Sequence, residues 1–164
     1  MKNNKGFSLV ELIIVIAIMA ILVGVMAPQL IKYIEKTNVS ADTQLADSVK
    51  TAITTTIMDP AVINKNPTQV ATVTGNTSWT DVSQANLGGG SATDAATVYG
   101  GVSEILGFEA SNASLVAKLK SHHDTGAKFQ YKAVNGNTVA VQITTTDITG
   151  KKGNNASNYI VVGE

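Results

Sequence analysis

The chain has 164 residues and a mass of 17.0 kDa, which suits one domain with one extra element. Twelve lysines (no arginine) cancel twelve acids to a formal net charge of zero, and charged residues make up 15%, below the roughly 25% usual in soluble domains. A neutral, arginine-free chain lacks the clustered positive charge of a dedicated nucleic-acid binder, so DNA binding is conceivable but unsupported, and the absence of cysteine removes disulfides, thiolate metal sites, cysteine nucleophiles and lipidated cysteine anchors.

The first element is a helix of exceptional apolarity. From Leu12 to Ala27, sixteen consecutive residues are apolar or glycine. Extended to Phe7 and Ile31, the run is 25 residues interrupted only by Ser8, Glu11, Pro28 and Gln29. Such a helix reaches about 37 Å, enough to cross a hydrocarbon core of about 30 Å. Three readings compete. A cleaved secretory signal would use Lys2 and Lys5 as its basic region and Val25-Met26-Ala27 as its cut site. Pro28 would then sit just beyond the cut, and the apolar run is too long. An uncleaved signal anchor would be oriented by the same two lysines. Neither explains Glu11, a carboxylate costing a few kcal/mol deep in a bilayer and therefore a functional candidate.

The third reading explains it. A short basic leader MKNNKG, a Gly6-Phe7 junction, a Glu four residues after Phe7, an immediately following apolar helix, and Pro28 21 residues beyond Phe7 fall together. This constellation resembles the type IV pilins and their type II secretion pseudopilin relatives, closely over about the first 35 residues and in layout beyond. The resemblance implies that a prepilin peptidase cuts between Gly6 and Phe7 and N-methylates Phe7. It implies that Glu11 of one subunit compensates the charged amino terminus on Phe7 of a neighbour. Gly6 has a physical rationale, since a residue without a side chain lets a protease approach the scissile backbone. Pro28 lacks an amide proton and clashes with the carbonyl of Gly24, itself a weak helix residue, so a kink or loosening is expected between Gly24 and Pro28. The domain layout expected is a leader over 1–6 and a long helix over 7–58, with its membrane or filament-core part at 7–31. A variable connecting region over 59–127 and an antiparallel meander over 128–164 follow.

After Pro28 the helix turns amphipathic. Ile31, Ile34, Ala41, Leu45, Val49, Ile53 and Ile57 recur at three- or four-residue spacing, apart from a gap at Asn38. Asp59-Pro60 ends it. The connecting region contains a turn at Asn64–Pro67, a short strand expected at 70–74, Trp79 as a core anchor, and a loop at Gly88-Gly89-Gly90. That loop lacks the Lys-Ser/Thr and the flanking elements of a phosphate cradle. Short helices are expected at 102–107 and 112–122, the second capped by Ser111 or Asn112. Two alternating strands, 128–134 and 138–146, flank Asn135-Gly136-Asn137 as a hairpin, and 158–162 adds a last strand. The fold class is α+β, a long N-terminal helix packed against a small antiparallel sheet, with Ala41, Leu45, Val49 and Ile53 beneath it.

No catalytic set emerges. His122-His123 are adjacent and point about 100° apart on a helix, which makes them poor joint ligands. Asp94, Asp124 and Asp147 show no calcium-loop spacing, so neither metal nor cofactor is expected. The function implied by the resemblance is structural rather than enzymatic. The chain would be a subunit of a helical homo-oligomeric filament used for adhesion, motility, aggregation or DNA uptake. It would be held in the cytoplasmic membrane before assembly and exposed on the cell surface after it, with the prepilin peptidase, an assembly ATPase and a platform protein as partners. A pseudopilin of a secretion or competence machine is the nearest alternative. An extracytoplasmic binding protein tethered by its helix is the alternative from another class.

Overall fold

In a computed structural model of the chain, Gly6 and residues 8–121, 126–145 and 160–163 are described. The first element, α1 (Leu9–Met58), is a helix of 50 residues. Residues up to Thr37 and residues from Asn38 onward group as two compact units. In the second unit come α2 (Pro60–Lys65), α3 (Pro67–Thr74), β1 (Thr80–Asp81), α4 (Val98–Leu106), α5 (Asn112–Val116), β2 (Lys128–Val134), β3 (Thr138–Thr144) and β4 (Ile160–Val162). The strands form one antiparallel sheet in the order β1-β2-β3-β4.

The fold is therefore α+β, as expected, with several local corrections. Residues 70–74 are not a strand but the end of α3. Pro67 opens that helix, and Val70 and Val73 turn inward at helical spacing. The Thr72 and Thr74 hydroxyls donate to the carbonyls of Thr68 and Val70, each at 2.9 Å, which suits threonine to a helix here. The fourth strand comes from Thr80–Asp81 in the connecting region, pairing Thr80 with Tyr131 and Asp81 with Gln130. Trp79 beside it is only half-buried, with the Lys132 ammonium 4.5 Å from its ring centroid; it is a rim residue, not a core anchor.

One face of the sheet and one stripe of α1 make the core. Phe129 pairs with Ile143 and Tyr131 with Val141, while Ile143 also meets Ile160. These side chains cluster with Ala46, Val49, Ala52, Ile53 and Ile57 of α1. The buried stripe is thus turned slightly from the expected one, for Ala41 and Leu45 are only half-buried. The hairpin turn at Asn135-Gly136 takes φ of 56° and 77°, a left-handed conformation that Asn and Gly tolerate.

Two further contacts fix the connecting region to α1. A Cβ at Gly101 would lie 2.6 Å from the Thr56 methyl, so α4 can approach α1 only because this position is glycine. On α1, the buried Asp42 carboxylate accepts backbone N–H groups of Lys120 at 2.8 Å and Ser121 at 3.0 Å, and the Ser121 hydroxyl as well. The helix α5, capped by Ser111, stops at Val116 rather than continuing to 122. The Lys118 and Leu119 amides donate to the carbonyls three residues back, of Leu115 and Val116, each at 3.1 Å, and the next two amides go to Asp42.

Candidate assembly site

The N-terminal site is built from a helix start and an apolar surface. Gly6 lies outside the helix, exposed, with open space where a side chain would be. The helix starts at Leu9, after Ser8. The Ser8 backbone N–H donates to Glu11 Oε2 at 3.0 Å, and the Ser8 carbonyl accepts the Leu12 amide at 3.3 Å. Ser8-Leu9-Val10-Glu11 fits the S-x-x-E capping signature, in which the acid three residues into the helix satisfies the amide at its threshold. A carboxylate in the first helical turn also favours the positive end of the helix dipole. Glu11 thus has a local partner that its isolation in an apolar run did not suggest, although the four-residue signature was readable. Phe7, the other half of the expected junction, lies outside the described residues.

Beyond Glu11 the surface is almost wholly hydrocarbon. Leu9, Ile13, Ile16, Ile21, Val25, Leu30 and Ile34 are each at least half exposed, and the same holds round the other faces of this segment. The helix has a stretch long and apolar enough to span a membrane, none of it buried. Pro28 lies inside α1 with helical residues on both sides, and Gly24 has open space around it. Having no N–H, Pro28 leaves the Gly24 carbonyl without its usual helical partner.

The described residues of the second unit offer little chemistry. Among the described residues no group of three or more His, Asp or Glu could hold a metal. The glycine loop has φ of 86°, 80° and 95° at Gly88, Gly89 and Gly90, and no cationic side chain accompanies it in the sequence. His122-His123, Asp124 and Asp147 fall outside the described residues. The shifted ionisable groups have structural causes. Burial pushes the Tyr99 phenol up to about 12, helped by its hydrogen bond to Glu109 Oε1 at 2.8 Å and by that acid's charge. Burial also disfavours the Asp81 charge, but hydrogen bonds from Gln130 Nε2 at 2.8 Å and Lys128 Nζ at 3.0 Å outweigh it and hold the carboxyl below its usual range. That network ties β1 to β2.

Comparisons with known proteins agree with this geometry. Residues 1–27 match the family described as the prokaryotic N-terminal methylation motif. A fimbrial protein of Moraxella nonliquefaciens is 47% identical over 55 residues, covering 34% of this chain and 36% of the relative. A fimbrial protein of Pseudomonas aeruginosa is 39% identical over 59 residues, covering 36% and 38%. The type IV major fimbrial protein FimA of Dichelobacter nodosus is 42% identical over 56 residues, covering 34% and 36%. The similarity thus spans little more than a third of the length of these curated relatives. No solved structure matches the chain. The N-terminal methylation motif, the similarity of the first third of the chain to fimbrial proteins, and a long helix followed by a small antiparallel sheet together support a type IV pilin.

Proposed function

We propose that the chain is the precursor of a filament subunit, cleaved between Gly6 and Phe7, methylated on Phe7, and assembled through its N-terminal helix into a type IV pilus. The observation that carries this reading is the exposed hydrocarbon surface from Leu9 to Ile31, headed by one capped carboxylate. Such a surface requires either lipid or other copies of itself. In water, covering it is worth about 25 cal/mol for each Å². Inside a bilayer that driving force is absent, so extraction calls for an assembly ATPase and a platform protein. The peptidase, acting at the cytoplasmic membrane, is the other partner.

Glu11 supplies alignment. Oε2 already accepts the Ser8 amide, which leaves Oε1 for an ammonium. Cleavage creates one on Phe7, and methylation keeps its charge. Within a bundle of apolar helices, a lone carboxylate or ammonium is heavily penalised, whereas the matched pair recovers much of the cost. Subunits would therefore settle where Glu11 of one meets Phe7 of the next, a register role like that of other buried polar groups. Between Gly24 and Pro28 the helix has a missing hydrogen bond at which it can loosen under load. The filament would serve adhesion, motility, aggregation or DNA uptake at the cell surface.

The direct test is a Gly6→Val variant, whose side chain obstructs the scissile backbone. The expected result is an uncleaved chain held in the membrane and no filaments in the surface-sheared fraction. Filaments containing Gly6→Val at the normal yield would contradict the reading.

A further inference from the structure

The apolar segment of α1 ends at a small polar arc. Lys32, Tyr33, Lys36 and Thr37 are all exposed there, Tyr33 to 68%. At about 100° of turn per residue, Lys36 sits about 40°, Tyr33 about 100° and Thr37 about 140° round from Lys32, all to the same side. Glu35 lies about 60° round on the other side, so it does not interrupt the arc. The Thr37 hydroxyl is turned back onto the Tyr33 carbonyl at 3.0 Å. Neither Lys32 nor Lys36 has an ion-pair partner among the described residues. The arc stands 21 residues beyond Glu11, about 32 Å along a helix, close to the thickness of a hydrocarbon core of about 30 Å.

We propose that Lys32, Tyr33 and Lys36 form a lipid-headgroup anchor that fixes the depth of the unassembled subunit by binding anionic phospholipid on the face of the membrane opposite Glu11. The inference rests on the reading that this helix spans the membrane before assembly. The chemistry is complementary on both counts. Two ammonium groups one turn apart meet phosphate oxygens, and an amphipathic phenol sits at headgroup level. With Glu11 at one boundary and the arc at the other, the 20 residues between them match the core with little tilt. Extraction must then release headgroups as well as hydrocarbon.

The absence of native cysteine makes the test clean. Single cysteines at Leu30→Cys and Thr37→Cys are introduced into the full chain. Each protein is placed in lipid discs open on both faces, made either of phosphatidylcholine or of phosphatidylcholine with phosphatidylglycerol, and labelled with a water-soluble maleimide. In anionic discs position 37 should label and position 30 should stay protected. Combining Thr37→Cys with Lys32→Gln, Tyr33→Leu and Lys36→Gln should slow labelling at 37 about tenfold as the helix sinks by about one turn. Neutral discs should slow it in the parent chain too. Equal labelling at 37 in parent and variant, or in both lipids, overturns the anchor while leaving the membrane-spanning reading intact. Rapid labelling at 30 and also at Ile16→Cys overturns both. If the triple substitution leaves labelling unchanged but abolishes filaments in cells, the arc faces a second copy rather than lipid, and the proposal fails.

Discussion

Glu11 carries a local task and a proposed intersubunit one, and two substitutions separate them. Glu11→Gln keeps a side-chain oxygen able to cap the Ser8 amide but removes the charge. Glu11→Ala removes both. If charge pairing aligns subunits, both variants insert into the membrane and neither yields filaments in the sheared fraction; normal yield from Glu11→Gln would leave only the cap. The position of Glu11 was legible in the sequence because an acid in an apolar run is costly. Its cap was legible only to a reader looking for S-x-x-E. Asp42 was not legible at all, because the amides it accepts lie 78 and 79 residues away. Asp42→Ala should cost about 1–3 kcal/mol by leaving buried donors unpaired. Thermal unfolding of the full chain in detergent should show a midpoint lower by roughly 2–4 °C for each kcal/mol lost. An unchanged midpoint would show that the contact contributes nothing net.

Among the elements, those with strong local signals were readable and those set by distant partners were not. Asp59-Pro60 ended α1 as proline chemistry requires, and Asn135-Gly136 set the hairpin. The segment from 70 to 74 misled because valine and threonine favour strands, while the Pro67 start and the inward Val70 and Val73 favour a helix. β1 is two residues long and has no periodicity to detect. The glycine pair within α4 looks unfavourable for a helix until its neighbours are placed, with Thr56 of α1 against Gly101 and the backbone of Ser91 and Asp94 against Gly100. Gly101→Val should therefore loosen α4 from α1, detectable as faster amide exchange in residues 98–106. Unchanged exchange would mean that Thr56 yields freely. Tyr99 gives the same region a pH signature. Its phenol stays protonated in the folded chain up to about 12 but ionises near 10 when unfolded. The stabilisation is complete below pH 10 and is lost as pH rises towards 12. Tyr99→Phe should flatten that part of the stability profile; a profile identical to the parent's would remove Tyr99 as its cause.

At the scale of the molecule, the sequence divides its work between an apolar helical segment and a unit with its own core. That division was legible because the two parts differ so sharply in composition, and the fold class followed from it. With no cysteine to form a disulfide, burial against α1, the Asp42 contact and the Asp81 network hold the sheet region. The central claim is that the apolar helix is retained after maturation and becomes a filament interior. The N-terminal mass of the chain sheared from the cell surface tests this most directly. The account predicts a chain beginning at Phe7 and carrying one methyl group on its amine. A surface form that still begins at Met1, or one that begins after Pro28, would contradict it.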